Sequence, residues 1–196
     1  MNFKELFKEI ESTPILDSDI LKKYNIEKKH LFIPLLLLIF FLINPKYFVF
    51  AVLTIISGLF SFYHDKFNRT NIDLKLPLFL GILITWKFGL LYTLIFFILS
   101  DIIPTLLAGG HIGSVTLPFY LWFFMINSAV LLFSGQDIIL LGTILVIIEF
   151  IGSTIIKSFF GIPGFVAVLS SLLSVVIRII YFNTLGKLLV PILNLI

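Results

Sequence analysis

From Leu31 to the C-terminus the chain is an almost unbroken apolar tract, and this tract constrains the fold more than any other feature. A charge near the centre of a bilayer costs about 3 kcal/mol on insertion scales, so such a residue usually faces a protein interior, a wet cavity or another charge. The tract predicts a membrane domain whose charges are its best functional candidates. Those charges are Lys87, Asp101, Glu149, Lys157 and Arg178.

The composition agrees with a membrane protein. Of the 196 residues, 59% are hydrophobic and 13% are charged, with a mean hydropathy of +1.13, far from the averages of soluble domains. Cysteine is absent, which excludes a disulfide framework, a thiolate nucleophile and a Cys-ligated metal. Lysines and acidic residues balance one another in the first thirty residues, so no basic stripe for nucleic acid remains. We expect the lipid bilayer as a partner and no nucleic acid.

Residues 1–30 form a separate N-terminal segment. Acidic residues are mixed through it and no compact apolar stretch with a cleavage site follows a basic start, so it does not resemble a signal peptide. Phe3, Phe7 and Ile10 recur at helical spacing and predict a short amphipathic helix that Pro14 ends. We therefore expect two regions: a cytoplasmic amphipathic segment over 1–30 and a transmembrane helical domain over 31–196.

Polar residues divide the apolar tract into six predicted spans near or below the roughly 20 residues that a bilayer requires. The third span is long for one pass and contains Gly81, Gly89 and Pro104, so we predict one irregular pass, kinked near Lys87. A full break into two passes is the alternative and would change the parity of the topology. The predicted fold is all-α, a polytopic integral membrane bundle of about six transmembrane helices with an irregular third helix. The spans cover residues 31–43, 47–63, 76–104, 116–133, 138–157 and 165–183.

Basic residues beside the spans predict the orientation, because they favour the cytoplasm. The lysine-rich N-terminus and the loop 64–75 then lie inside, and the loops 44–46, 108–115 and 158–164 lie outside. Six passes place both termini of this multi-pass cell-membrane protein in the cytoplasm. In this topology Lys157 and Arg178 lie near opposite membrane surfaces, where snorkelling would accommodate their charges.

Two charges fall at the middle of their predicted spans. Lys87 lies near the middle of the third span and Glu149 near the middle of the fifth. A buried ion pair between them is the most economical way to hold both in lipid. Such a pair would either fix the register of the helices or take part in function.

Asp101 is harder to explain by snorkelling, because a carboxylate has a short reach and its surroundings are strongly apolar. A glycine-rich loop that carries His111 follows it, and Trp122 and Asn127 could line a cavity beside it. We take Asp101, His111, Trp122 and Asn127 as candidate substrate-binding residues. One His and one Asp do not make a metal site, which normally needs three or four ligands. We predict no metal and no cofactor.

The sequence contains no known catalytic motif. It lacks the nucleophile elbow, the zinc-protease helix motif, the P-loop and a second intramembrane Asp placed to share a proton. We assign no catalytic residue, and the chain is not predicted to be an enzyme. Without a P-loop it is no ATPase by itself, so energy for transport would come from an ion gradient or a partner subunit.

Two short stretches resemble a superfamily of six-helix membrane proteins. Residues 96–104, which carry Asp101, lead into the glycine-rich 109–113, as in family members where a helix with an Asp precedes a Gly-rich loop. Residues 179–186 are similar to the family's last helix, with Asn183 before an apolar, glycine-containing exit. The members include the substrate-binding S components of energy-coupling factor vitamin transporters and the MreD rod-shape membrane proteins.

The resemblance implies two functions. An S component would capture a vitamin-like or metal-like solute near the outer surface, with transport driven by partner ATPases through a membrane coupling subunit. The family's first helix usually carries an Ala-x-x-x-Ala contact for that subunit, and residues 31–43 contain no Ala. An MreD-like scaffold that recruits other proteins is the alternative, and the charged N-terminus would suit it. An intramembrane enzyme using Asp101 or Glu149 is the third class.

Overall fold

The computed structural model describes residues 44–67, 74–114, 116–133 and 135–196, and throughout these ranges the regular structure is helical, with no strand. Val49–Ile196 forms one compact unit, and the residues before Val49 group separately. The predicted amphipathic segment 1–30 and the first predicted span, 31–43, lie outside the described residues.

The helices agree closely with the second, fourth and fifth predicted spans, while the third contains two helices and the helix of the sixth continues to Asn194. Two π-helical segments interrupt longer helices: Ile98–Ile102 joins α3 to α4, and Phe182–Gly186 joins α7 to α8. The α-helices are α1 (Pro45–Phe67), α2 (Pro77–Phe88), α3 (Leu90–Phe97), α4 (Ile103–Leu107), α5 (Thr116–Leu132), α6 (Ile138–Phe159), α7 (Gly164–Tyr181) and α8 (Lys187–Asn194).

Four of the continuous helices are long and apolar enough to cross a membrane, while α2 and α5 are shorter apolar helices. These lengths and compositions suggest membrane insertion. The four are Pro45–Phe67, Leu90–Leu107, Ile138–Phe159 and Gly164–Asn194.

The distribution of side chains on α7 also fits a lipid environment. Its buried side is more polar than its exposed side, which reverses the pattern of a surface helix in a soluble protein. Ala167 and Ser171 have the small-xxx-small spacing that permits close helix contact, and both residues are buried. The buried residues of α7 are Ala167, Ser170, Ser171, Ser174, Val175 and Arg178, and its exposed residues include Phe165, Val168, Leu169, Leu172, Val176 and Ile180.

The third predicted span is a hairpin of two helices. The chain leaves α2 at Phe88 and reverses at Gly89, whose φ of 90° suits glycine and cannot continue a right-handed helix. Across the turn the hydroxyl oxygens of Thr85 and Thr93 are 2.7 Å apart. The last turn of α2 therefore lies against the first turn of α3.

Contacts further from the turn show that the two arms run antiparallel. A Cβ on Gly81 would lie 3.1 Å from Cζ of Phe97, and Nζ of Lys75 lies 2.9 Å from Oδ1 of Asp101. Residues earlier in the chain on the α2 side therefore contact residues later in the chain on the second arm, which runs from α3 through the π-helical segment to α4. The prediction of one irregular pass is wrong, because the helical hydrogen-bond ladder ends at the glycine and the two apolar arms pack on each other.

The hairpin brings the entry to α2 and the loop 108–114 to the same end of the helices. Lys75 lies two residues before α2, and Thr105 lies in α4 just before the loop 108–114. Nζ of Lys75 is 3.2 Å from Oγ1 of Thr105. The described residues 74–75 and the loop 108–114 therefore share one end, which we call the network end. The expectation that one pass separates Lys75 from the loop 108–114 is therefore wrong, because the chain reverses at Gly89.

Helix α1 runs beside the second arm of the hairpin and in the same direction. A Cβ on Gly58 would lie 3.3 Å from the carbonyl oxygen of Leu99 and 3.5 Å from Cγ of Pro104. Two turns later, Oδ2 of Asp65 accepts a hydrogen bond from Oγ1 of Thr105 at 2.5 Å. Gly58 is thus the notch that permits this close approach.

Two glycines of α6 make room for aromatic rings from neighbouring elements. A Cβ on Gly142 would lie 2.1 Å from Cε1 of Phe182, a residue that is fully buried. A Cβ on Gly152 would lie 2.1 Å from Cε2 of Trp122. These notches allow α5 and the second π-helical segment to pack against α6.

Candidate functional site

Lys75 stands at the centre of a charged network at the network end. Its Nζ lies 2.8 Å from Oδ2 of Asp65 on α1 and 2.9 Å from Oδ1 of Asp101 in the first π-helical segment. It also donates a hydrogen bond to Oγ1 of Thr105 on α4. We call Asp65, Lys75, Asp101 and Thr105 the Lys75 network. It joins α1 to both arms of the hairpin.

The hydroxyl of Thr105 closes this network, because it accepts a hydrogen bond from Lys75 while donating one to Asp65.

The neighbouring His64 also has a defined role. The Leu74 amide donates to Nε2 of His64 at 3.3 Å, so that nitrogen must accept and the ring proton belongs on Nδ1. Nδ1 lies 3.2 Å from Oδ1 of Asp65. The geometry fits a neutral imidazole that donates to the carboxylate.

Two tyrosines attach other helices to the network. The hydroxyl of Tyr181 on α7 donates to the carbonyl of Leu74 at 3.1 Å. On α5, the hydroxyl of Tyr120 lies close to the carboxylate of Asp101. The entry to α2 is therefore held from several sides.

The glycine-rich loop folds back onto the network. The Gly110 amide donates to the carbonyl of Thr105 at 2.9 Å, and a Cβ on Gly110 would lie 2.8 Å from Cγ2 of Thr105. Asp101 is 4% exposed, whereas the side chains of Lys75 and Asp65 are 17% and 18% exposed. The network is thus open at its outer edge and closed on the side of Asp101.

A second charged site lies between α6 and α7. Nη1 of Arg178 is 2.5 Å from Oε2 of Glu149, and each side chain is 3% exposed. The predicted partner of Glu149 was Lys87, and that prediction is wrong. Lys87 lies half-buried at the tip of the hairpin, while the facing turn of α7 presents Arg178.

Neither Arg178 nor Lys157 behaves as a snorkelling residue. Arg178 is buried in its ion pair. Lys157 is half-buried and its ammonium donates to the hydroxyls of Ser170 at 3.0 Å and Ser171 at 2.9 Å. Both charges therefore belong to the interface between α6 and α7.

The four predicted binding residues do not meet at one place. Asp101 belongs to the Lys75 network, while His111 is exposed on the loop. The indole of Trp122 donates to the carbonyl of Glu149 at 3.3 Å. Asn127 is fully buried and packs on Gly81, where a Cβ would lie 2.8 Å from its Oδ1. Their binding roles stay predictions.

Sequence reasoning missed three members of the network. Asp65 and Lys75 lie at the edges of a polar segment that served only to predict orientation, and Thr105 carries no distinctive motif. A signal was present, since an acidic and a basic residue flanked this segment next to apolar helices. Among the described residues, no group of three or more His, Cys, Asp or Glu side chains is placed to hold a metal ion.

Comparison with known proteins gave no match: no protein-family model, curated protein or solved structure matches this chain.

Proposed function

We propose that this chain is a multi-pass cell-membrane protein that binds a small solute at the Lys75 network, as the binding subunit of a transporter. The observation that carries the proposal is the network itself. Charged side chains in an apolar helical domain are costly, and in membrane proteins they usually mark pathways or binding sites. A hydrophobic cluster of equal volume would hold helices together at least as well.

The accessibility of the network supports binding. Lys75 and Asp65 are partly exposed at the network end, and the glycine-rich loop folds over Thr105. A solute with hydrogen-bonding or charged groups could exchange contacts with Lys75 and Asp65, while the buried Asp101 holds the ammonium in place. Without a P-loop, the chain would depend on a coupling subunit and ATPases or on an ion gradient.

The hairpin changes the side of the membrane on which this site would open. Lys66 and Lys75 lie at the network end, and Arg69 lies between them in the sequence. Basic residues of this kind favour the cytoplasm. We therefore place the network end inside, in contrast to the outer-face site expected from the family resemblance.

The test is ligand-dependent stabilisation of the purified full chain. We expect one class among vitamins, amino acids, nucleosides and polyamines to raise the unfolding temperature, and Asp101→Asn to abolish that rise. Asp137→Asn is the matched control: Asp137 is exposed and caps α6, and Asn is an equally good cap. It should keep the full response.

A different result would favour the MreD-like scaffold. In that case no solute would stabilise the chain, and deletion of residues 1–30 would reduce the recovery of membrane partners. Equal ligand responses in Asp101→Asn and Asp137→Asn would contradict the assignment of the site to the Lys75 network.

A further inference from the structure

Three serine hydroxyls near the Lys75 network are buried without a hydrogen-bond partner. Ser57 and Ser61 on α1 and Ser100 in the first π-helical segment are each 0% exposed, and no partner lies within reach of any of their hydroxyl oxygens. Buried polar atoms are almost always paired. An unpaired set of three indicates that a ligand supplies the missing partner.

The two serines of α1 face the hairpin. Ser57 is two turns beyond Phe50 and shares its face, and the Phe50 ring contacts the rings of Phe88 and Tyr92 at centroid distances of 5.8 and 5.4 Å. Ser61 lies one turn before Asp65, which reaches Lys75. Both hydroxyls therefore belong to the groove between α1 and the two arms of the hairpin.

The opposite wall of the groove carries Ser100 and a backbone carbonyl. The Cα of Ser100 is 3.6 Å, and the carbonyl oxygen of Leu99 3.3 Å, from the position of a Cβ on Gly58. In this segment the Ile103 amide donates to the carbonyl of Ile98, five residues back. The equivalent donor for Leu99 would be residue 104, which is proline and has no N–H. The Leu99 carbonyl thus lacks its regular helical donor and faces α1.

We propose that this groove binds an alkali-metal cation through the hydroxyls of Ser57, Ser61 and Ser100 and the carbonyl of Leu99. All four ligands are neutral oxygens, which suit hard cations, and interrupted membrane helices supply carbonyls of this kind to sodium ions. Asp101 follows Ser100 directly in the chain, and the Lys75 network, with two carboxylates and one ammonium, adds net negative potential. The inference rests on the proposed function, for which the cation would be the coupling ion.

The first test measures the unfolding temperature of the purified full chain in sodium, potassium and choline chloride at equal ionic strength, together with binding of radiolabelled sodium. We expect sodium or potassium, but not choline, to stabilise the protein. Ser100→Ala and Ser61→Ala should each weaken cation binding about tenfold, the effect of losing one good ligand contact. Identical unfolding temperatures in all three salts would overturn the proposal.

The variants have a second readout that a merely structural hydroxyl would not produce. In choline, Ser100→Ala should be as stable as the parent or more stable, because it removes an unpaired buried hydroxyl. In sodium it should be the less stable protein. Ser128→Ala is the matched control, since the Ser128 hydroxyl on α5 already donates to the carbonyl of Phe124 at 2.8 Å. A full sodium response in both groove variants would exclude the site.

The solute-binding proposal and the cation proposal can be tested separately by measuring solute-dependent stabilisation in sodium chloride and in choline chloride. Solute binding that is equal in both salts, with no cation response, would overturn the cation site and leave the proposed function standing. A cation response without any solute response would overturn the proposed function and leave the cation site standing.

Discussion

Arg178 and Glu149, 29 residues apart in sequence, form an ion pair with Nη1 and Oε2 separated by 2.5 Å. The Phe123 ring of α5 lies 5.5 Å from Cζ of Arg178, within range of a cation–π interaction. The pair therefore joins α6 and α7 and touches α5. Since both side chains are almost fully buried, each charge depends on the other.

Removing one partner should strongly destabilise the protein. We expect Arg178→Met to lower the free energy of unfolding by about 3–5 kcal/mol, because it leaves Glu149 as an uncompensated buried charge. The double variant Glu149→Leu/Arg178→Met should recover most of this loss. Denaturant unfolding in detergent, arranged as a double-mutant cycle, measures the coupling directly.

Lys87→Met is the matched control for that cycle, as Lys87 lies half-buried at the hairpin tip, away from the pair. It should change stability much less than Arg178→Met. Equal losses in the two variants, or no coupling between Glu149 and Arg178, would contradict the observed pairing.

The notch at Gly142 should tolerate no side chain. We expect Gly142→Ala to cost about 1–3 kcal/mol of stability, since a Cβ would overlap the buried ring of Phe182. The smaller Phe182→Leu should relieve part of that cost when combined with it. Thermal unfolding compares these variants with Gly135→Ala, where no atom lies within 4 Å of the new Cβ. A larger loss at Gly135 would disprove this reading.

Site-directed labelling should detect the hairpin. The chain contains no cysteine, so single replacements at Lys66, Ser114 and Gly135 can be labelled with a membrane-impermeant maleimide in oriented vesicles. All three positions are exposed. We expect Lys66→Cys and Ser114→Cys to react from the same side and Gly135→Cys from the other, because α5 separates Ser114 from Gly135. Labelling of Lys66→Cys and Ser114→Cys from opposite sides would restore the single irregular pass.

Lys75 should stabilise the protein by separating two carboxylates. Lys75→Met leaves Asp65 and Asp101 facing each other, and we expect a loss of about 1–3 kcal/mol, smaller than at Arg178 because the network is partly exposed. The additional change Asp101→Asn should restore stability by removing the repulsion. Unfolding of the single and double variants measures both effects, and a further loss in the double variant would refute the repulsion.

The positions of the described helices could be predicted well from the sequence. The predicted spans 116–133 and 138–157 correspond to Thr116–Leu132 and Ile138–Phe159. These boundaries depend on local features, such as the carboxylate of Asp137, which accepts from the first amides of α6. Local signals of this kind survive in any tertiary arrangement.

Partner choice could not be predicted in the same way. Lys87 and Glu149 each lie near the middle of a predicted span. The position of a residue along its helix does not determine which residue of a neighbouring helix it contacts. For Glu149 that residue is Arg178, and for Asp101 it is Lys75. Both choices depend on how the helices rotate and pack, through notches such as Gly58 and Gly142.

The amino-acid sequence alone was enough to establish an apolar helical chain, the extent of most of its helices, and the presence of charges that need buried partners. Those properties follow from hydropathy and propensity, which add up residue by residue. Only the tertiary structure decided that the chain reverses at Gly89, that Lys75 and the loop 108–114 share one end, and that Asp101 joins Asp65 and Lys75. Such outcomes depend on contacts between distant residues, and these exist only once the helices have packed.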